Sequence, residues 1–149
     1  MTLKIVPWPH PCLKTKAKNV TNVTSEILQL WTDMIAVMEK MPGVGLAALQ
    51  LGIALSLAFV DASLERGKVI RMANPEVLHA SQKIEVGKEA SPNLAYVSSE
   101  IKRPRGITIR YLNELGVIQE RDLVGLWARS TLHQIDHLNG RMYFENLSK

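Results

Sequence analysis

Several features of other protein classes are missing from this sequence. It has one cysteine, Cys12, so it cannot form an internal disulfide, which is typical of proteins in a reducing compartment. The first 14 residues contain three prolines and no apolar core of the kind that a secretory signal requires. The apolar stretch at 46–60 is interrupted by Gln50, Gly52 and Ser56, and it is shorter than the roughly 20 residues of a membrane helix. These absences predict a cytoplasmic protein that does not associate with a membrane.

Length and composition are those of one globular domain. The chain has 149 residues, of which 46% are hydrophobic and 21% charged, and we expect a single domain over 1–149. The net charge of +4 is most visible in KTKAK at 14–18 and KRPRG at 102–106. Such runs are usually solvated faces, and specific nucleic-acid binding is not predicted, because that would need interleaved aromatic residues. A contact with the ribosome stays open as a lesser alternative.

Two helices are predicted. Apolar residues recur at helical spacing after a cap at Thr24 and Ser25, and Pro42 with Gly43 predicts the end of this first helix. The second helix is expected to begin near Asp122 and to end at Gly140, with apolar residues nearly all round and hence with several buried sides. The apolar positions of the first helix are Ile27, Leu30, Trp31, Met34, Ile35 and Met38, and those of the second are Leu123, Val124, Leu126, Trp127, Leu132, Ile135 and Leu138.

Strands are predicted between the two helices. The segment at 55–62 indicates a buried strand, 69–78 and 83–90 indicate extended segments, and 107–121 indicates a hairpin that turns at 113–116. The sequence has no internal repeat, low-complexity tract or linker. It therefore predicts an α+β fold in one compact unit.

The second helix carries the sequence HQIDH. His133 and His137 are one helical turn apart on the same face, a spacing that allows two imidazoles to bind one metal ion. The pattern alone is weak, because a zinc site needs a third ligand and hydrolysis needs a base beside the bound water. A pair of hydrogen-bonded core histidines is the open alternative.

Other motifs give this helix a context. Residues 43–50 read GVGLAALQ, residues 126–140 read LWARSTLHQIDHLNG, and a segment that starts at Glu89 ends in KRPRGITIR. In this order and spacing the chain resembles the peptide deformylases, whose motifs are GxGLAAxQ, EGCLS and HExDH. PHPCLKTKA near the start and Asn-Pro at 74–75 extend the resemblance over essentially the whole chain. The implied fold has antiparallel sheets around a central buried helix that carries HQIDH.

The resemblance implies a mechanism and its residues. The family holds a divalent metal ion (iron, zinc or nickel) by the Cys of EGCLS and the two His of HExDH, whose Glu is the general base. The Gln of GxGLAAxQ and the N–H after the Cys hold the formyl oxygen of an N-formyl-methionyl nascent chain. Carried over, the metal positions are His133, His137 and Ser91; the catalytic positions are Gln134, Gln50 and Pro92; and the substrate-binding positions are Gly43, Val44, Gly45, Leu46 and Arg103.

Three of these positions depart from the family pattern. EGCLS has become EASPN at 89–93, so Ser91 replaces the ligand Cys, and a serine hydroxyl is a poor zinc ligand. Pro92 replaces the residue that supplies the oxyanion donor, and proline has no N–H. Gln134 replaces the base and cannot take a proton at neutral pH. The expected metal site is therefore weak or absent.

Two functions follow as hypotheses. The first is an impaired or inactive deformylase homologue that still binds nascent or formylated peptide N-termini in its groove. The second is an active metal-dependent deformylase with a non-standard metal site, formed by a substitute ligand such as Glu89 or Asp136 or by an unusual metal geometry. Ion pairs of these acids, with Arg103 and Arg129 as partners, are the competing interpretation.

Overall fold

The structure, a computed structural model, describes residues 3–41 and 43–146, so Pro42 lies outside the described residues. The predicted α+β class is confirmed, with two antiparallel sheets and two α-helices. No described helix has the length and apolar character needed to cross a membrane. The elements in chain order are α1 (Ser25–Glu39), β1 (Gly45–Ala47), β2 (Leu57–Val60), β3 (Ile70–Ala80), β4 (Ile84–Ser91), β5 (Leu94–Pro104), β6 (Gly106–Leu112), β7 (Ile118–Val124) and α2 (Leu126–Leu138), with 3-10 turns at Pro11–Lys14, Ala48–Leu51 and Tyr143–Asn146.

The strands form a five-stranded sheet and a separate two-stranded hairpin. The sheet order is β1-β2-β3-β6-β7, with β1 at one end, and every neighbouring pair is antiparallel. The hairpin consists of β4 and β5, which pair from Ile84↔Pro104 to Ser91↔Leu94. Strand β5 was not predicted, because serines and charged residues interrupt its apolar pattern; its pairing with β4 supplies the hydrogen bonds that the pattern does not reveal.

Helix α1 has the predicted start and the predicted core face. Thr24 caps it by accepting a hydrogen bond from the backbone N–H of Ile27. Trp31 is fully buried, and its indole N–H donates to the carbonyl of Ala58 on β2. The apolar stripe therefore fixes the helix against the sheet. Its buried members are Ile27, Trp31, Met34 and Met38, with Leu30 and Ile35 partly buried.

The predicted start of helix α2 is wrong. Asp122 belongs to strand β7, where its carboxylate accepts a hydrogen bond of 2.6 Å from the hydroxyl of Thr108 on β6. The helix begins at Leu126, after Gly125 with a φ of 62°. A left-handed residue of this kind separates strand from helix, and glycine adopts it without steric cost. Gly140 follows the helix as predicted, also with positive φ.

The burial of α2 also differs from the prediction. Leu126 is 50% exposed, and Trp127, Leu132 and Ile135 are only partly buried. The buried face instead carries Ala128, Ser130, Thr131, His133, Gln134, His137 and Leu138. A helix that buries such polar groups must supply each of them with a partner.

Candidate active-site cleft

A cavity of about 1270 Å³ brings most of the predicted site residues together. It is lined by residues 43–46 and Gln50 on one side, by the turn between β4 and β5 on another, and by helix α2. His137 and Arg103 are the predicted site residues outside its lining; they are buried, with exposures of 1% and 5%. The lining therefore includes Gly43, Val44, Gly45, Leu46, Gln50, Ser91, Pro92, His133 and Gln134.

Residues 43–46 form what we call the GVGL wall. The carbonyl of Val44 accepts hydrogen bonds from the N–H of Asp61 and the hydroxyl of Ser130, which tie the wall to the sheet and to α2. A Cβ on Gly45 would lie 2.7 Å from the Ser130 hydroxyl and 2.8 Å from the Phe59 carbonyl, so the wall can approach α2 only with glycine at this position.

The three predicted metal-binding atoms lie close together beneath this wall. The Nε2 atoms of His133 and His137 are 3.1 Å apart, and Ser91 Oγ is 3.4 Å from His137 Nε2. The two imidazole rings meet edge to face. The fold thus preserves the arrangement that the motif spacing predicts, although the atoms present differ from those of the family.

Behind the histidines lies a buried cluster of ion pairs. Glu89 accepts hydrogen bonds of 2.8 Å from Nε and Nη2 of Arg103 and one of 2.7 Å from Arg129 Nη1. Arg103 Nη1 also donates to Asp136 at 2.8 Å. The predicted ion pairs of these acids are confirmed. Arg103 as a substrate ligand stays a prediction, and its buried position favours the role of an ion-pair partner.

This cluster sets the charges beside the histidines. His133 Nδ1 is 2.8 Å from Glu89 Oε1, so Nδ1 carries the hydrogen of that bond. Burial would raise the pKa of Glu89, but hydrogen bonds from Arg103 and His133 outweigh it and lower the pKa to about 2. Burial, followed by the charges of His133 and Arg103, holds the pKa of His137 well below its usual 6.5. Glu89 is ionised and His137 is neutral at physiological pH.

A closed hydrogen-bond network occupies the other side of Ser91. Gln50 Nε2 donates to Asn93 Oδ1 at 2.9 Å and to Ser91 Oγ at 3.3 Å, and Ser91 Oγ donates to Asn93 Oδ1 at 2.9 Å. Asn93 Nδ2 donates to the carbonyls of Val6 and Gln50. Gln50 Oε1 accepts from the Ala47 N–H. Both hydrogens of the Gln50 amide are therefore bound within the protein.

The turn between β4 and β5 explains the sequence Pro92-Asn93. These two residues connect Ser91 to Leu94, which pair with each other. Proline fits the first central position of a tight turn because its φ is fixed, and asparagine is a common turn residue. Pro92 is exposed and lines the cleft, but it brings no N–H to it.

Gln134 lines the cleft, and its buried Oε1 has no partner among the described residues. The residue is 4% exposed. His137 Nδ1 likewise finds no partner among the described residues. Unpaired buried polar atoms are uncommon in folded proteins.

The donor set does not fit a tightly held metal ion. Two imidazoles and a serine hydroxyl bring no negative charge, and Ser91 Oγ is already hydrogen-bonded on both sides. Metal-bound histidines almost always donate their second ring N–H to a carboxylate or carbonyl, and His137 Nδ1 lacks such a partner among the described residues. Residues 3–41 and 43–146 contain no cluster of three or more His, Cys, Asp or Glu suited to a metal.

Sequence reasoning did not single out Asn93. Asn93 is the last residue of EASPN, but its role depends on contacts between three segments that are distant in sequence: Val6, Gln50 and the β4–β5 turn. The sequence signal for Asn93 is an amide side chain at a position where the family motif has serine. An amide at this position could have been expected to pair with the amide of Gln50, which belongs to the same predicted site.

Known proteins share this fold. The family model described as Polypeptide deformylase matches residues 2–149. The crystal structure of peptide deformylase from Thermotoga maritima superposes with a TM-score of 0.94 and 31% identity, over 100% of this chain and 99% of that one. These matches define the class: the chain has the architecture of the peptide deformylases.

Proteins with similar sequences belong to the same family. Peptide deformylases from Afipia carboxidovorans and Bradyrhizobium sp. (strain BTAi1) are 34% and 36% identical to it, each over 98% of this chain and 86% or 87% of the relative. A Met-Ala-Ser-bound class I type b peptide deformylase from Acinetobacter baumannii is 26% identical with a TM-score of 0.92, over 99% of both chains. The chain belongs to the peptide deformylase family, and that part of the prediction is confirmed.

Proposed function

We propose that this chain binds peptide N-termini in the cleft and does not carry out ordinary metal-dependent deformylation. The observation that carries the proposal is the state of the Gln50 amide, whose two hydrogens go to Asn93 and Ser91 rather than to the cleft. In the family this amide holds the formyl oxygen. In this chain the Gln50 amide is present, but both of its hydrogens are bound by Asn93 and Ser91.

The chemical groups around it support the same conclusion. Ser91 replaces a thiolate and leaves two histidines as metal donors. Pro92 removes an oxyanion donor, a loss that typically costs on the order of 10² to 10³ in rate. Gln134 removes a general base, whose assistance is worth about 10² to 10⁴.

The edge of strand β1 and the lining of the cleft support peptide binding. Strand β1 is at the end of the sheet order, so one edge is not paired with another described strand, and residues 43–46 line the cleft. An extended peptide can add to such an edge through main-chain hydrogen bonds. The Acinetobacter baumannii relative is a Met-Ala-Ser-bound structure of the same fold. We propose nascent chain N-termini as the natural partners, in the cytoplasm, with ribosome contact as an accessory feature.

An active enzyme is the alternative, and one observation favours it. His133 Nε2 lies 3.1 Å and Ser91 Oγ 3.4 Å from His137 Nε2, so the three atoms are close enough for one ion to contact all of them. The relatives named peptide deformylase also make ordinary activity the natural rival. Glu89 is a poor substitute ligand because both its oxygens already bind arginines.

Metal content and peptide binding together test the proposal. We expect less than one equivalent of iron, nickel or zinc after dialysis, and calorimetric binding of a Met-initiated tripeptide. The matched variant is Gly43→Val, where an added Cβ would meet only Met38 Cγ at 3.6 Å. It places side-chain atoms in the wall and should weaken peptide binding without changing metal content. One equivalent of metal that survives a mild chelator would support the active alternative. Failure of any Met-initiated peptide to bind would remove the binding role.

A further inference from the structure

The charged residues that line the cleft are mostly cations. Arg66, Lys88 and Arg129 line it, and Glu89 is the one acid among its described lining residues. Both oxygens of Glu89 are already bound, because they accept hydrogen bonds from two arginines and from His133. The lining therefore carries an excess of positive charge. A concave surface lined by charges of one sign concentrates ligands of the opposite sign.

Arg129 is held in one place against the β4–β5 hairpin. Its Nη1 donates to Glu89 Oε2 at 2.7 Å and to the Ile101 carbonyl at 2.9 Å, and its Nη2 donates to the Glu85 carbonyl at 2.8 Å. A Cβ on Gly87 would lie 2.8 Å from Arg129 Nε and 2.9 Å from Cζ, so this position of the guanidinium requires a residue without a side chain at 87. A group that is fixed before the ligand arrives loses little freedom on binding.

The fixed guanidinium keeps hydrogens for a ligand. Arginine has five N–H donors, and the three contacts above use two of Nη1 and one of Nη2. The Nε–H has no acceptor among the described residues, and the side chain is 12% exposed. Gln134 Nε2, in the same lining, likewise donates to no described residue. A carboxylate complements such donors, because it only accepts, and its hydrogen bonds with arginine are charge-assisted.

Arg66 and Lys88 add positive charge on the wall and on the hairpin. Arg66 Nη1 donates to the Gly43 carbonyl at 2.6 Å, which places this guanidinium at the GVGL wall. Lys88 belongs to strand β4, next to Glu89. Both side chains are exposed, and neither forms an ion pair with a described residue. An anionic peptide in the cleft would therefore meet cations on more than one side.

We infer that the cleft selects peptides that carry a carboxylate within their first three residues, and that Arg129 is the residue that determines this specificity. The inference rests on the proposed peptide binding and names the ligand class for the same site. A purely structural role of Arg129, as partner of Glu89, is the competing interpretation. It predicts that the charge of the ligand has no effect on affinity.

The test is calorimetry on the whole, unmodified chain with matched pairs of tripeptide amides. Met-Ala-Ser amide is varied by placing Asp or Asn at the first, second or third position, so each pair differs by one charge and the terminal carboxylate is absent. We expect one of the Asp peptides to bind about ten-fold or more tighter than its Asn partner, the effect of one hydrogen-bonded charge. The ratio should fall as the salt concentration is raised.

The outcomes separate the inference from the proposed function. Three Asp/Asn ratios near one, with measurable binding of the neutral peptides, would overturn the inference and leave peptide binding intact. Binding of none of the peptides would overturn both. The position with the largest ratio locates the carboxylate relative to the peptide N-terminus.

An arginine variant assigns the effect to its residue. Arg129→Gln should bring the largest ratio close to one, while the neutral peptides keep their affinity. Arg129→Lys keeps the charge but lacks the planar group, and it should restore part of the ratio. An unchanged ratio in Arg129→Gln would refute the role of Arg129.

A second pair of variants keeps the test independent of the buried ion pairs. Lys88→Gln combined with Arg66→Asn removes two exposed charges, and asparagine suits the positive φ of 61° at 66. The Asp/Asn ratio should fall several-fold. The matched control is Lys83→Gln combined with Arg121→Gln, at two exposed positions outside the cleft lining, and it should leave the ratio unchanged. Equal losses in both double variants would contradict the inference, because net charge rather than the cleft would then govern binding.

Discussion

The two sides of the cleft differ in how closely their residues match the family motifs. The GVGL wall retains the family sequence, and its geometry depends on backbone contacts: Gly45 lies against Ser130 and Phe59 too closely for any side chain. The opposite side, formed by residues 89–93 and the buried face of α2, carries Ser91, Pro92 and Gln134 where the family motifs have cysteine, leucine and glutamate. Binding geometry and reactive groups can thus change separately within one fold.

Ser91 is hydrogen-bonded where it stands, and Gln134 keeps the side-chain shape of the family residue. Ser91 takes part in the network with Gln50. Glu89 and its arginines still hold His133 in place. Under the proposed function, each change replaces a reactive group of the family motif by one that the same fold accommodates.

The largest effect should come from restoring the altered side of the cleft. Ser91→Cys, Pro92→Leu and Gln134→Glu together should give formyl-Met peptide hydrolysis in the presence of Fe²⁺, Ni²⁺ or Zn²⁺ under exclusion of oxygen. The gain should exceed the product of the three single gains, because a base without activated water and a metal without an oxyanion donor each achieve little. Steady-state assays of all the variants measure this.

Two additions sharpen that experiment. Adding Asn93→Ser to the triple variant should increase turnover further, because it frees the Gln50 amide, whereas adding Asn19→Ser should not. Ala90→Gly would let the backbone approach the ligand more closely. Single variants as active as the triple variant would show that the three positions do not act as a unit.

The ion-pair cluster should dominate stability on the altered side. Arg103→Met removes a buried guanidinium that pairs with both Glu89 and Asp136, and we expect a loss of about 3 to 5 kcal/mol in the free energy of unfolding. Arg105→Met breaks the exposed pair with Glu85 and should cost about 0 to 1 kcal/mol. Denaturant titration of both variants makes the comparison, and equal losses would contradict it.

Acid should destabilise the same region in two steps. His137 is neutral in the fold with a pKa below its usual 6.5, so the unfolded chain binds more protons and stability falls as pH drops below about 6.5. Glu89, with a pKa lowered from 4.5 to about 2, contributes stability that is present above pH 4.5 and lost as pH falls toward 2. Denaturant titrations over a pH series measure this.

A variant at Glu89 separates the two steps. Glu89→Gln should lower stability near pH 7 and flatten the pH dependence between 4.5 and 2. Glu76→Gln, at an exposed pair with Arg110, should leave the curve unchanged. A wild-type curve that is flat from pH 7 to 3 would show that neither buried group carries the assigned charge state.

The smallest expected effect is that of a chelator on the melting temperature. Helix α2 is held by burial and by the ion pairs of Glu89, so EDTA should leave the melting temperature unchanged within error. Differential scanning calorimetry with and without EDTA tests this. A large drop would show that a metal ion stabilises the fold, contrary to the donor set described above.

Local patterns predicted much of this molecule. The stripe of α1, the Thr24 cap, the hairpin of β6 and β7 and the spacing of His133 and His137 are properties of contiguous residues, and all appear in the structure. The position of Ser91 beside the histidines followed from the family motifs. Short-range periodicity and a strong resemblance carry this kind of information well.

Features that depend on distant partners were not predictable. Asp122 suits a helix N-cap, but pairing of β7 with β6 places it in a strand. The apolar residues of α2 predicted burial on several sides, whereas Leu126 is 50% exposed and Trp127, Leu132 and Ile135 are only partly buried. The Asn93 network requires three segments to meet. Tertiary contacts decide each of these outcomes.

Turnover by the unmodified chain tests the central claim most directly. The measurement is release of formate from formyl-Met-Ala-Ser, without oxygen, with Fe²⁺, Ni²⁺ or Zn²⁺ added in turn, and with the Thermotoga maritima relative as the positive control. We predict no measurable hydrolysis by this chain under conditions in which the relative is fully active. Robust metal-dependent turnover would contradict the assignment of Ser91, Pro92 and Gln134 as disabling.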